Sequence, residues 1–553
     1  MKDSQRLIVF IALSGLILLS YNYFFMPKPG QNYSENIRPA QTEKQEKDIK
    51  KEIKNSSEDR AAINLKPVDS KITKKDARLY TVETDLVTAD FSDIGAALNG
   101  YRLKKYSDTK KGDLESLELI PNKSSYTYMS LYSDSIDLTN TQWNLLQRSK
   151  TDDGVKLIFQ KEIQKNVIIE KEYVLKDGTY VFDLNLRFIN NTQNPFALQG
   201  LKLSWGPNIH FLPADVDKHK DGFVQYNRIS YLDGDEHQKI DIKFNAKEDT
   251  TIIIPAKSRW ITMKDLYFTS SFIMKELSDY KNYEAEIRTD GFAFMNINLK
   301  DMILSPGTSE EIRMQSYTGP KEYKRLKKIN MEKSVDLGWL RFLSVWMFYA
   351  MDFFHGLLNN YGLAIIFLTI LIRGLLWVPS QKSFKHMKET QKKMSIIKPR
   401  METLKKIYKE DPQKLNEETM KLYKEYKINP FGGCLPMLLQ LPIFIAFYQT
   451  LMNMVELKGA SFIWWMQDLS RPDSLYILPF IMGGSMFIQQ KMSQAATPTV
   501  DAAQASQQKI FLYGLPVFLT FLSFNWPSGL LLYWSISNVL GIAQQYFVNK
   551  SKD

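Results

Sequence analysis

Hydrophobic and polar positions alternate along much of the first half of the chain. Between Phe182 and Phe188 every second residue is large and apolar and the residues between them are polar. This period of two is typical of a strand with one buried face. Val167–Leu175 is a similar run, and the Asp177–Gly178 pair between the two runs predicts a hairpin. Spaced strands across residues 80–320 therefore predict a β-sandwich domain. Further runs of this kind follow at Thr251–Ile254 and Phe292–Leu299.

Long apolar runs dominate the last two hundred residues instead. They predict a polytopic α-helical membrane protein with a five-helix core at residues 360–548. Several of the runs are short and contain Pro or Gly, which bilayer helices tolerate where neighbouring helices or water satisfy the freed backbone. The predicted spans are Tyr361–Val378, Leu435–Met454, Tyr476–Gln490, Ile510–Asn525 and Gly529–Phe547.

The N-terminal segment has its own pattern. Leu7–Phe25 is apolar, follows Lys2 and Arg6, and has no small-x-small cleavage site after it. These features favour an uncleaved signal-anchor helix at residues 1–26 over a cleaved signal peptide, which stays the alternative. Residues 34–79 contain no Phe, Trp or Tyr and are rich in charge, so residues 27–79 are predicted to be a flexible tether.

Two predicted elements connect these regions. Residues 321–359 are predicted to form a charged linker followed by an amphipathic helix, Gly338–Asn359, that lies in the membrane interface. Within the core, residues 381–428 are predicted to form a helical hairpin, with Asp411 as an N-cap before Pro412. This hairpin is either a solvated connector with a basic face near anionic lipid or a docking arm for a nascent chain, ribosome or translocase.

Charge in the loops predicts the orientation. Between Pro379 and Cys434 there are fourteen Lys or Arg and seven Asp or Glu, whereas loop 455–475 has two basic and three acidic residues. Positive charge stays on the cytoplasmic side. The N-terminus, the hairpin and the short tail at residues 549–553 are therefore predicted to be cytoplasmic. The β-sandwich is predicted to be periplasmic, in agreement with the signal anchor.

Composition limits the chemistry. The net charge is +11, there is one cysteine, Cys434, and the five histidines are scattered without HExxH or HxH spacing. An internal disulfide is excluded and a metal centre is not expected. No nucleotide loop, nucleophile elbow or paired-carboxylate pattern is evident, so we expect neither a cofactor nor an enzymatic activity.

Arg373 is the most informative residue, because it lies inside the apolar segment Tyr361–Pro379. A guanidinium in such a segment costs a few kcal/mol or more and cannot lose its proton. It therefore needs a partner, a water-filled cavity or access to an interface. Snorkelling to the near interface is the alternative, since Pro379 follows about two turns later.

The other predicted spans offer Arg373 no carboxylate. Leu435–Val455, Tyr476–Gln490 and Ile510–Phe547 contain no Asp or Glu. A wet cavity is therefore a better interpretation than a buried ion pair, although each neutral group could instead join helices at about 0.6 kcal/mol. The neutral polar residues of the spans include Thr369, Gln440, Gln449, Gln489, Gln490, Ser535, Ser537, Asn538, Gln544 and Gln545.

Several segments resemble one family. They are YGLAIIFLTILIRG (361–374), KPRMETLKKIYKED (398–411), INPFGGCLPMLLQLPIF (428–444) and WPSGLLLYWSISN (526–538). In this order they resemble the YidC/Oxa1/Alb3 family of membrane protein insertases, strongly over residues 336–547 and more loosely elsewhere. The resemblance is close to the bacterial branch that has a large periplasmic domain.

The resemblance implies a fold and a site. It implies five helices around a groove that opens to the cytoplasm and to lipid, with a periplasmic β-supersandwich whose shape is shared with sugar-binding enzymes. We find no catalytic pair in this chain that would carry over their chemistry. The implied groove residues are Arg373, Thr369, Gln440, Tyr533 and Trp534, to which the polar pattern adds Ser537 and Asn538. The implied apolar slide consists of Leu441, Phe444 and Leu522. Trp534 stands where familiar members have a second tyrosine, which puts a second hydroxyl in doubt.

The function expected from this resemblance is insertion and folding of nascent membrane proteins in the bacterial inner membrane. It implies membrane lipids and the Sec translocon as partners, a ribosome contact through the hairpin, and no direct binding of nucleic acid. It leaves open whether the protein works alone or with the translocon. A secondary transporter or channel with an anion at Arg373 is the alternative. An anchored carbohydrate enzyme is a third hypothesis, but acid and base candidates are lacking.

Overall fold

The computed structural model describes residues 77–107, 116–120, 128–133, 136, 138–209, 228–242, 248–289, 291–409, 411–428, 435–494 and 510–550. All of them belong to one compact unit that comprises Leu65–Val500 and Lys509–Asp553. The predicted signal anchor, the tether up to residue 76 and residues 551–553 of the tail lie outside the described residues.

The first half of the described chain is built from strands. These are β1 Leu79–Glu83, β2 Val87–Ser92, β3 Ala97–Ser107, β4 Ser116–Ile120, β5 Ser130–Tyr132, β6 Asn144–Thr151, β7 Gly154–Gln164, β8 Val167–Lys176, β9 Val181–Asn190, β10 Phe196–Leu198, β11 Lys202–Trp205, β12 Arg228–Asp233, β13 Glu236–Asp241, β14 Thr250–Pro255, β15 Trp260–Lys264, β16 Phe268–Met274, β17 Tyr280–Ile287, β18 Ala293–Leu299, β19 Met302–Leu304 and β20 Thr308–Pro320. A 3-10 turn, Leu277–Asp279, precedes β17.

The strands pair antiparallel in two larger and two smaller sheets. The largest has the order β13-β12-β15-β16-β20-β9-β8-β7-β6, and the next has the order β14-β17-β18-β11-β5. The smaller sheets are β1-β2-β3-β4 and β10-β19. The Asp177–Gly178 hairpin is present: β8 pairs with β9 so that Leu175 lies opposite Phe182, and Gly178 takes φ +74° at the turn.

Buried side chains join the sheets into layers. Leu184 and Leu186, on the apolar side of the alternation in β9, are fully buried. Trp205 of β11 packs edge-on against Phe272 of β16 with ring centroids 6.3 Å apart. Tyr173 of β8 reaches the edge of the four-stranded sheet, where its hydroxyl donates at 2.7 Å to the carbonyl of Ala96, the residue just before β3. The larger sheets and the four-stranded sheet therefore share one hydrophobic core.

The second half is helical. Its helices are α1 Tyr323–Lys328, α2 Arg341–Leu358, α3 Tyr361–Leu375, α4 Trp377–Ile407, α5 Pro412–Glu425, α6 Leu435–Asn453, α7 Ile477–Gln494, α8 Leu515–Ser523 and α9 Ser528–Lys550. Two 3-10 turns, Glu332–Ser334 and Val455–Leu457, and a π-helical turn, Ile510–Gly514, lie between them.

The predicted spans overlap α3 and α6 to α9, and two of them differ from the prediction. The fourth, Ile510–Asn525, is divided into the π-helical turn Ile510–Gly514 and the nine-residue helix α8. The first differs by a bend. α3 ends at Leu375, and α4 begins two residues later at an angle of 61°, so Pro379 lies in the first turn of α4 rather than after the span. Proline is tolerated there because the first N–H groups of a helix have no intrahelical partner. Among the described helices, no single one is both long and apolar enough to cross a bilayer. The bent pair of α3 and α4, taken together, has the length and composition to do so.

A charged cluster ties the linker before α2 to both halves of the protein. Asp336 contacts the ammonium of Lys239 at 2.7 Å, that of Lys264 at 3.2 Å and the guanidinium of Arg228 at 3.4 Å, all from the nine-stranded sheet. The backbone carbonyl of Asp336 accepts a hydrogen bond from the Asn453 amide at the end of α6, at 2.9 Å. One residue of the linker thus joins the sheet to a core helix, and we call these contacts of Asp336 the clasp.

Burial and charge shape the titration of this cluster. Burial would raise the pKa of Asp336, but Lys264 and Lys239 more than offset this and hold it well below its usual range. Burial also lowers the pKa of Lys264 to about 7, although Asp336 opposes that effect. Burial lowers the pKa of the neighbouring His237 to about 3, so that histidine is neutral near pH 7. Asp336 thus favours the charged form of Lys264 and opposes the effect of burial.

We expect Asp336→Asn to destabilise the protein by about 2 kcal/mol, less than the 3–5 kcal/mol of a fully buried pair because the Asp336 side chain is 21% exposed. Without the carboxylate, the pKa of Lys264 in the folded protein falls further below its value in the unfolded chain. A lysine with a lowered pKa destabilises the fold at low pH, and this cost disappears as pH rises. The loss should therefore be larger at about pH 6 than at about pH 9.

The measurement is the thermal unfolding midpoint of both proteins at the two pH values. Asp301→Asn is the matched control, because Asp301 forms an exposed ion pair with Lys281 at 2.6 Å. An equal loss from both variants would contradict the clasp at Asp336.

Candidate functional site

Arg373 lies in the last turn of α3, whose two faces differ. Asn360 caps the helix by accepting from the backbone N–H of Leu363 at 3.0 Å, and this fixes where the helix begins. One face, with Ile365, Leu368 and Ile372, is buried against the other helices. The opposite face exposes Phe367, Ile370, Leu371 and Leu375. Arg373 is half-buried and turns towards α9.

Ser537 on α9 is the residue that holds the guanidinium. Nη2 of Arg373 donates to Oγ and to the backbone carbonyl of Ser537, both at 2.7 Å, and Nε donates to the same Oγ at 3.1 Å. Within the described part of the chain these neutral oxygens, and no carboxylate, accept from Arg373. The cation is therefore solvated by dipoles, as the absence of acidic residues in the spans predicts.

A third helix completes the polar cluster. Gln440 on α6 donates from Nε2 to the hydroxyl of Tyr533 at 2.9 Å and lies 3.5 Å from Oγ of Ser537. Tyr533 and Ser537 are four residues apart on α9 and so share one face. The groove cluster is thus Arg373, Gln440, Tyr533 and Ser537, contributed by α3, α6 and α9.

Gly541 lies one turn after Ser537, where Gln489 of α7 packs closely against α9 beside Arg373. A Cβ atom at this position would lie 3.4 Å from Nη2 of Arg373 and 2.6 Å from Nε2 of Gln489 on α7. Without a side chain there, Gln489 approaches the backbone of α9. The sequence pattern includes Gln489 among its neutral polar groups but gives no signal for Gly541, because a glycine in an apolar run is unremarkable until its neighbours are known.

Two of the expected groove residues bond elsewhere. Thr369 is buried and donates to the carbonyl of Ile365 in its own helix at 2.6 Å. Asn538 donates to Oγ of Ser485 at 3.0 Å and so joins α9 to α7. Their chemistry resembles that of the cluster, but both act as contacts within and between helices.

The expected aromatic and apolar residues have different surroundings. The Tyr533 ring is buried and stacks on Phe447 with centroids 4.0 Å apart, which leaves its hydroxyl as the polar end. Trp534 points to a different side of α9, stacks on Trp526 at 5.6 Å and contacts Phe444 at 4.7 Å. Leu441 on α6 and Leu522 on α8 stay exposed at 49% and 43%.

We expect Ser537→Ala to cost about 1–3 kcal/mol, because it removes the hydroxyl that accepts two charge-assisted hydrogen bonds from Arg373. Ser535→Ala is the matched control: Ser535 is buried on the same helix and, among the described residues, its hydroxyl has no hydrogen-bond partner. The thermal unfolding midpoint should fall for the first variant and stay nearly unchanged for the second. Equal midpoints would show that Ser537 does not hold the guanidinium.

Comparison with known proteins gives consistent matches along the chain. The protein-family model described as YidC periplasmic domain matches residues 79–350. The family model of the 60Kd inner membrane protein matches residues 353–553. The chain is 32% identical to membrane protein insertase YidC of Syntrophus aciditrophicus, with 99% of each chain covered. It is also 32% identical to membrane protein insertase YidC of Geotalea daltonii, again over 99% of each. A crystal structure of an active YidC insertase matches 87% of this chain and 95% of its own at 16% identity, with a TM-score of 0.37.

Proposed function

Because this chain belongs to the YidC family of membrane protein insertases, we propose that it inserts nascent transmembrane segments through a hydrated groove centred on Arg373. The observation that carries the proposal is a permanent cation between α3, α6 and α9 whose acceptors are the oxygens of Ser537. Such a cation keeps water in its surroundings and attracts negative charge.

The groove lowers the cost of moving a polar flank across the bilayer. A charged residue at the centre of a spanning helix costs about 2.5–3.5 kcal/mol on the insertion scale. Water around Arg373 shortens the dry part of that path, and the guanidinium attracts acidic residues of the flank. The hydrophobic segment leaves through the apolar side, along Leu441, Phe444 and Leu522, into lipid. Hydrophobic partitioning and the membrane potential supply the energy, and no covalent bond changes.

The orientation and the partners belong to the same proposal. The N-terminus, hairpin and C-terminal tail lie in the cytoplasm, and the sheets lie in the periplasm. The hairpin, formed by α4 and α5, carries most of the fourteen Lys and Arg between Pro379 and Cys434 and meets incoming chains or the ribosome. Nascent membrane proteins are the substrates, and the Sec translocon delivers a part of them.

An anion transporter is the competing function, because a cation held by neutral oxygens also suits an anion. We expect Arg373→Ala to lower the insertion of a single-span test protein with an acidic N-terminal tail several-fold, while Arg373→Lys keeps an intermediate activity. A lysine supplies the charge but has one donor nitrogen in place of the two, Nε and Nη2, with which Arg373 contacts Ser537. The measurement is the protease-protected fraction of the test protein in vesicles that contain each variant.

Arg313→Ala is the matched control, since Arg313 is an exposed arginine on β20 of the β-sandwich domain and pairs with Glu311. A test protein with a neutral tail should depend less on Arg373. If wild type inserts no better than empty vesicles, and anion flux through the vesicles depends on Arg373, the protein is a transporter and the insertase proposal fails.

A further inference from the structure

The loop between α6 and α7 turns its charged side chains inward. Asp473 is 2% exposed and accepts from Nε1 of Trp465 at 3.0 Å and from the backbone N–H of Leu478 at 2.7 Å. Asp468 pairs with Arg471 at 3.4 Å. The Lys458 ammonium lies 5.9 Å from the ring centroid of Tyr267 in the β-sandwich domain, which we also call the β-domain. The structure describes every residue of this loop, and each of its charged residues is buried or half-buried.

The outward side of the same loop is neutral and largely apolar. Trp464 is 88% exposed, and Ile463, Leu475 and Tyr476 are between 47% and 58% exposed. The other exposed residues of the loop are Gly459, Ser461, Gln467 and Ser474. A loop facing water ordinarily shows charge outside and buries its tryptophans. Here the distribution is inverted.

The tip of the loop is held so that Trp464 points away from the protein. The backbone N–H of Met466 donates to Ile463 at 2.8 Å, and that of Phe462 donates to Met466 at 2.9 Å. The neighbouring Trp465 is anchored inward by Asp473. Trp464 itself takes φ +36°, a conformation that a bulky residue keeps only when its surroundings impose it.

We propose that this outward side, with Trp464 at its tip, lies in the headgroup region of the periplasmic leaflet and fixes the depth of the core in the bilayer. Trp and Tyr prefer this region because their rings are apolar and carry one polar group. The surface continues into the start of α7, where Phe480 and Ile481 are 63% and 47% exposed. A surface that binds a protein partner in water usually has a polar, charged rim. The charged residues of this loop are instead buried or half-buried.

The inference rests on the proposed orientation for the choice of leaflet, but contact with lipid can be measured separately. In a Cys434→Ser background, Trp464→Cys and Ser474→Cys are labelled with an environment-sensitive fluorophore. The full-length proteins are placed in vesicles of phosphatidylethanolamine and phosphatidylglycerol. Leu146→Cys is the control, because Leu146 is a 53% exposed apolar residue on the edge strand β6 of the β-domain.

Quenching is measured with iodide on both sides of the bilayer and with lipids that carry a nitroxide near the headgroup or deep in the acyl chain. We expect iodide quenching at positions 464 and 474 to be several-fold weaker than at position 146. We also expect the shallow nitroxide to quench both loop positions more strongly than the deep one.

Iodide quenching equal to that at position 146 would overturn the inference, because the tip would then face water. Protection from both iodide and lipid nitroxides would also overturn it, since a protein would cover the tip. Insertion of the single-span test protein is assayed in the same vesicles. Lipid contact without insertion would leave the inference intact and count against the proposed function alone.

Discussion

A guanidinium that cannot lose its proton is the constraint on which the helical half of this protein depends. Arg373 interrupts the apolar run of α3, so oxygens must surround it. Ser537 supplies them from α9, Gln440 extends the polar network from α6, and Gly541 lets Gln489 of α7 approach α9 beside the guanidinium. The packing of three helices is thus organised around one charge.

The need for this environment could be predicted from the sequence, but its partners could not. The spans contain no acidic residue, so a cation solvated by neutral groups was the expected result. Thr369 and Asn538 have suitable chemistry, yet they bond within α3 and to α7. Side-chain type indicates what a residue can bind, whereas the helix face that it meets depends on packing between distant segments.

The β-domain shows the same division between local and distant information. The Asp-Gly hairpin between β8 and β9 is encoded by adjacent residues and could be predicted. The clasp at Asp336 joins residues from three strands to a linker about a hundred positions later, and no local pattern indicates it. The clasp also gives the linker a role: it joins the sheet to the end of α6, the helix that contributes Gln440.

The most direct test of the central claim is whether water reaches the Arg373 cluster in a bilayer. In a Cys434→Ser background, Gln440→Cys is exposed to a membrane-impermeant maleimide in intact vesicles, with the fully buried Ala446→Cys on the same helix as the control. A hydrated groove predicts that position 440 is modified readily and position 446 only after the protein is denatured. If position 440 is as unreactive as position 446, the cluster is dry and Arg373 does not centre a hydrated groove.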